Sequence, residues 1–260
     1  MNKNFQLYYN LFLLFLFFLF LEGIYSAYYY KISAIIDIIP FKSHSSINPY
    51  IWNENGLVEI LQNLFLLISV LFVYKFIFIK KFNNKSLIFL IFIYLYFIGL
   101  IYYLFEEISW GQHIFFWDSP ELFLKLNSQA ETNLHNTSNL LNELPRTLLL
   151  IWCSFSFILN YFLKKNEYLK EFRIFIYPNK NLKKISLLLI FFVIPDLIVD
   201  KFNLHPGYPV DFITQIRLYE VVDVITFNFI RLSELHELIF DYYILFHSYY
   251  LIKLDKLYFK

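Results

Sequence analysis

Apolar residues fall along this chain in six long runs, at about 8–29, 56–79, 86–105, 147–163, 184–200 and 232–252, separated by more polar connections. A hydrocarbon core of roughly 30 Å takes about 20 apolar residues in a helix rising 1.5 Å per residue. The runs predict an all-α integral membrane protein of about six transmembrane helices, forming one polytopic domain over 1–260. The first run, within LFLLFLFFLFLEGIYSAYYY, could instead be a signal peptide cleaved near Ala27. Only Lys3 precedes it and the apolar stretch continues through Tyr30, so a retained anchor is the expectation. The fifth run is short and contains Pro195-Asp196, where the missing backbone donor is expected to kink or end the helix. The longer connections, about 30–55, 106–146 and 201–231, hold amphipathic stretches such as PELFLKLN (120–127) and VDFITQIRLYEVVDVITF (210–227). These are predicted to lie along the interface or to pack as an outer cap.

Charge orients this arrangement. Lys80, Lys81, Lys85, the basic run from Lys164 to Lys184, and Lys253, Lys256 and Lys260 outnumber the Lys and Arg of the alternate connections. Lysine and arginine accumulate on the cytoplasmic side, so both termini are expected there. With 58% hydrophobic residues and a mean hydropathy of +0.51, the chain has too little polar surface to cover a soluble fold of this size. A net charge of +1 without a basic aromatic patch gives no sign of nucleic acid as a partner. Cys153 is the one cysteine, so an intramolecular disulfide or a cysteine cluster is excluded, and its apolar surroundings predict a small buried side chain.

The carboxylates then gather on the outer side. Only Glu167, Glu171 and Asp255 fall in cytoplasmic segments, and Glu22 and Asp241 fall inside spans. Glu59 sits one turn into the second span with Gln62 and Asn63 at i+3 and i+4. Glu106 and Glu107 end the third, and Glu234, Glu237 and Asp241 share a face of the last at i, i+3 and i+7. Ionisable groups in spans are costly and normally face a bundle interior or a watery cavity. Three helices bringing carboxylates to one membrane level point to a polar pocket at the outer face. The plainer alternative is capping, snorkelling, or pairing with Arg146 and Arg231.

The most distinctive segment is EEISWGQHIFFWDSPELFLKLNSQAETNLHN, residues 106–136. Asp118-Ser119-Pro120-Glu121 reads as a helix start with an N-cap oxygen, and Gly111 permits a tight turn after Trp110. If ETNLH is helical, Glu131 and His135 project together at i, i+4. They could then bind a divalent metal ion with Glu107, Glu59 and Glu237 as further ligands, or hold a water for acid–base catalysis by Glu106, Glu107 and His135. Glu54, Gln112, Asn133 and Glu234 would support such a site from behind. The opposing reading is that Glu131, Asn133 and Asn136 simply satisfy the backbone of a loop.

EEISWGQ, then SPE, then N-x-Q-x-E-x-N-L-H-N, with E-N-G-x-x-E at Glu54–Glu59 and an acidic helix from Glu234, resembles a family of uncharacterised bacterial multi-pass membrane proteins. The resemblance implies a bacterial inner membrane and no particular activity. NENGLVEILQNLFLLIS is also similar to the acidic motif of alkaline ceramidase-like membrane hydrolases, which implies metal-dependent hydrolysis. The chain departs from that pattern in lacking an H-x-x-x-H pair.

Three functions compete. One is a metal-dependent hydrolase of a lipid or lipid-linked substrate at the outer face. Another is a non-catalytic subunit or assembly factor docking a protein partner through its cap, with Trp52, Trp110 and Trp117 as contacts or bilayer anchors. The third is an ion-coupled transporter, for which only Glu22, Pro195, Asp241 and His247 point to a polar path through the membrane.

Overall fold

The computed structural model describes residues 3–35, 49–52, 56–79, 87–115, 117–127, 131–201 and 232–258. They are mostly helical, with no strand among them. In order come α1 (Lys3–Ile35), the single turn α2 (Pro49–Trp52), α3 (Leu57–Tyr74) with a π-helical extension Lys75–Ile79, and α4 (Leu87–Glu107). The one-turn α5 (Gln112–Phe115) and short α6 (Glu121–Leu126) precede α7 (Asn139–Leu163), α8 (Lys170–Ile176), α9 (Leu182–Lys201) and α10 (Leu232–Tyr258).

Among the described residues, four stretches are long and apolar enough to cross a membrane: Asn4–Tyr25, Tyr50–Phe78, Leu87–Glu107 and Glu143–Leu163. Their surfaces explain how such a protein differs from a soluble bundle. On α4, Ile88, Ile91, Leu95, Ile98, Tyr102 and Phe105 form an exposed stripe at alternating three- and four-residue spacing, while Phe89, Ile93 and Leu100 are buried on the other side. On α3, Ile60, Leu64, Leu67, Leu71 and Tyr74 are exposed, whereas Gln62 and Ser69 are buried with Val58, Leu66 and Val73. Apolar residues outside and polar ones inside suit a lipid solvent, because water would penalise exposed apolar stripes of this length. The Ser69 hydroxyl donates to the Phe65 carbonyl one turn back at 2.7 Å, which satisfies it without a partner helix.

The remaining long helices, α9 and α10, stand where the fifth and sixth apolar runs predict helices. Pro195 does not end α9, which continues to Lys201. α10 carries Glu234, Glu237 and Asp241 and buries its apolar residues: Leu238, Ile239, Phe240, Tyr243, Ile244 and Leu251 are all almost fully enclosed.

The chain forms two compact units, Met1–Glu59 with Ile190–Glu237, and Ile60–Leu189 with Leu238–Lys260. In the first, the Trp52 indole on α2 donates to Glu22 Oε2 of α1 at 3.1 Å, which gives the carboxylate in the apolar α1 a donor. His236 Nε2 lies 2.9 Å from the Phe192 carbonyl, joining α10 to α9.

In the second unit α10 is the hub. Phe65 and Phe72 of α3 meet its Tyr242 and Tyr249, at ring separations of 5.6 and 6.0 Å. Tyr103 of α4 meets its Phe240 at 6.3 Å, and Trp152 of α7 its Tyr243 at 5.7 Å. Buried polar pairs lock the same contacts. Ser156 and Tyr243 share a 2.6 Å hydrogen bond, Tyr96 and Ser248 one of 3.0 Å, and Asn181 donates to the Tyr250 hydroxyl at 2.9 Å. The Ser186 hydroxyl donates to the carbonyl of Cys153, whose side chain is fully buried, as its apolar surroundings predict. Tyr243→Phe strands the Ser156 hydroxyl inside the bundle and is expected to destabilise the protein by roughly 1–2 kcal/mol. Thermal unfolding in detergent checks this, with Tyr249→Phe as the control.

Candidate functional site

The second unit folds the distinctive segment between α4 and α7 into a polar loop whose anchor is Glu106. This side chain is 3% exposed, one residue from the end of α4. Its Oε2 accepts from the backbone amides of Leu134 and His135 at 2.8 and 2.9 Å, and its Oε1 accepts from the Trp110 indole at 2.8 Å. One carboxylate thus ties the start of the loop to its end. Three donors compensate the burial of its charge.

The turn that makes this possible is sharply strained. Ser109, Trp110 and Gly111 have φ of 45°, 54° and 96°, three successive residues in the left-handed region. Such a conformation costs a non-glycine residue about 1–2 kcal/mol, so surrounding bonds must enforce it. The indole bond to Glu106 holds Trp110, and Ser109 is held by donating to Glu131 Oε2 at 2.9 Å and accepting from Asn133 Nδ2 at 3.0 Å. At Gly111 a Cβ would stand 3.2 Å from both the Phe115 and the Trp117 rings. Gly111→Ala therefore adds conformational strain to steric crowding and is expected to cost about 1–3 kcal/mol, read as faster proteolysis of the 106–137 loop.

A second layer closes the loop. Asn133 Nδ2 also donates to Glu131 Oε2 at 2.6 Å, and Asn127 Nδ2 reaches Asn133 Oδ1 at 2.7 Å and the Glu131 carbonyl at 2.8 Å. Gln112 Oε1 accepts from the Thr132 amide at 2.7 Å, while Gln112 Nε2 donates to the Ser119 hydroxyl at 3.0 Å. Ser119 is therefore not an N-cap: α6 begins after Pro120 with no side-chain cap, and the serine is spent on the loop interior.

Residues 131–134 are not helical and His135 begins a single 3₁₀ turn, so Glu131 and His135 do not form the i, i+4 pair that a helical ETNLH would give. Glu131 faces Ser109 and Asn133, whereas His135 faces Glu106. The His135 Nδ1 is buried without a hydrogen bond and stands 3.4 Å from Glu106 Oε2, and the side chain keeps 29% of its surface exposed. The structure thus joins two of the three predicted acid–base residues. Glu107 is half-buried at the last residue of α4. Glu59, Glu234 and Glu237, all half-buried, belong to the first unit, and Glu54 lies outside the described residues. Among the described residues, no group of three or more His, Cys, Asp and Glu could hold a metal ion. The two oxygens of Glu106 and Oε2 of Glu131 already accept from the chain itself.

A second polar cluster surrounds His247, a residue the sequence suggested for a transporter's polar path but whose partners it did not show. His247 of α10 is fully buried between the rings of Tyr96, Trp152 and Phe175, with centroids at 5.2, 4.9 and 5.7 Å, and stacks on Tyr243 at 6.3 Å. Its Nε2 lies 2.6 Å from the Phe175 carbonyl. A carbonyl only accepts, so Nε2 carries the proton and Nδ1, which has no hydrogen bond, is a bare acceptor. Phe175 is in the last turn of α8, where carbonyls lack intrahelical partners, and His247 supplies one. The signal in sequence was faint, since the residues around this histidine are scattered over four helices.

No protein-family model matches this chain, and no curated protein or solved structure matches it.

Proposed function

We propose that this is a six-span membrane protein with both ends in the cytoplasm, whose 106–137 loop is an acid–base site at the outer face acting on a lipid or lipid-linked substrate. The observation that carries the reading is the position of a partly exposed imidazole, His135, whose Nδ1 stands 3.4 Å from the buried Glu106 carboxylate. Once that contact closes to a hydrogen bond, the carboxylate fixes the tautomer and ring orientation and leaves Nε2 as the base. Nε2 takes a proton from a water as its oxygen bonds to an ester or phosphoester centre. The same proton returns to the leaving oxygen as that bond breaks. The 3.4 Å separation is long for a made hydrogen bond and would shorten as the ring gains charge.

The test is hydrolysis of a membrane lipid extract by the purified protein, compared with His135→Gln, alongside elemental mass spectrometry of bound metal. Product formed by the native chain and not by the variant supports the reading. A stoichiometric metal lost in both Glu131→Ala and His135→Ala would extend it to the ligand set that the sequence predicts. A second reading, a non-catalytic subunit docking a partner, is favoured by how fully Asn127, Glu131, Asn133 and Gln112 are spent on fastening the loop. Such bonding makes a rigid platform. A stoichiometric co-purifying protein, with no lipid product, would favour it.

A further inference from the structure

From the surface that follows α4 we infer that Trp110, Phe115, Trp117 and α6 form a membrane-interface anchor, seated in the headgroup–acyl boundary of the leaflet at the carboxyl-terminal end of α4. This holds independently of the chemistry at His135. The exposed apolar stripe of α4 does not stop at its last turn. Phe105 stacks on Trp110 at 5.4 Å and 21°, and Tyr102 meets the same indole edge-on at 6.4 Å. The exposed face of a candidate membrane span therefore passes without a break into the loop. The left-handed turn at Ser109–Gly111 then redirects the chain, and Phe115 and Trp117 stack at 5.9 Å and 8°.

Phe115 is 72% and Leu122 64% exposed, and Trp117 and Leu126 are exposed as well. Side chains of this size left open on a loop so fully hydrogen-bonded inside are explained by a surface that covers them. Indole and phenyl rings at the end of a span are the residues that settle at headgroup level. On α6, Leu122 and Leu126 share one edge, while Glu121 and Lys125 pair at 2.6 Å on the adjoining one. The charged edge is thus neutralised, which lowers the cost of holding it near the headgroups. The occupant is the bilayer itself because this patch continues the exposed apolar stripe of a helix long and apolar enough to cross a membrane.

The test places a nitroxide at Leu122→Cys, and separately at Phe115→Cys, in the full chain reconstituted in phosphatidylcholine–phosphatidylglycerol nanodiscs. The native Cys153 is fully buried and stays unlabelled. Ile98→Cys on the α4 stripe gives the lipid reference, and Tyr168→Cys, 99% exposed in the native chain, gives the aqueous one. Collisions with oxygen, which partitions into acyl chains, are compared with collisions with a water-soluble nickel chelate. The expected result is an oxygen-to-nickel ratio at both cap positions several-fold above that at Tyr168→Cys and below that at Ile98→Cys. A ratio equal to that at Tyr168→Cys overturns the inference. Low collision with both reagents also overturns it, because the patch is then covered by protein. Two labelled positions guard against one substitution failing to fold.

Discussion

Glu106→Ala is expected to release the 106–137 loop and destabilise the protein by about 2–3 kcal/mol, since three part-buried bonds to a charged acceptor are lost together. The reason is geometric. One carboxylate, 3% exposed, holds the amides of Leu134 and His135 and the Trp110 indole. Its loss frees both ends of the loop and removes a bond that keeps Trp110 at a φ of 54°. Faster hydrogen exchange at the Leu134 and His135 amides would report the release. Glu106→Gln retains one carbonyl acceptor and should fall between the alanine variant and the native chain. Unchanged exchange in Glu106→Ala would show that the loop is held by its other bonds alone.

His135→Ala is expected to have the opposite profile, leaving the fold in place while removing turnover. The backbone amide, not the imidazole, makes the hydrogen bond to Glu106, and that amide survives the substitution. Losing a partly exposed side chain with no hydrogen bond at Nδ1 should change stability by less than about 1 kcal/mol. Losing a general base costs about 10²–10⁴-fold in rate. Fold and function therefore separate at adjacent groups: Glu106 variants lose both, and His135 variants lose only turnover. A His135→Ala protein that hydrolyses lipid at the native rate would remove the imidazole from the chemistry.

The helices were legible in the sequence because apolar runs of membrane length leave few alternatives. Their ends were not. α1 runs on to Ile35, and α7 starts at Asn139, ahead of the run at 147, because Ser138 caps it by accepting from the Leu141 amide at 3.3 Å. Hydropathy marks where a helix meets lipid, whereas hydrogen bonding sets where it begins. Four of the six predicted runs lie on helices long and apolar enough to cross a membrane. α10 bears its ionisable residues among buried aromatics, a distinction set by neighbours distant in sequence.

The loop shows the same division. Its importance was visible in the density of polar and aromatic residues, and Gly111 declared the turn. The pairing of Glu106 with residues 28 and 29 positions later was not visible, nor was the spending of Ser119 on Gln112 in place of a cap. Both depend on a left-handed turn at Ser109 and Trp110, which nothing in those two residue types announces. The i, i+4 pairing of Glu131 with His135 failed for a related reason. The Asn127 side-chain amide donates there to the carbonyls of Glu131 and Asn133, which a helical turn would need for itself.

The central claim, that His135 performs acid–base chemistry on a lipid, is tested most directly by mass spectrometry of a membrane lipid extract incubated with native protein or with His135→Gln at matched folded fraction. A hydrolysis product is expected from the native protein alone. The same product at the same rate from both proteins, or no product from either, would contradict it.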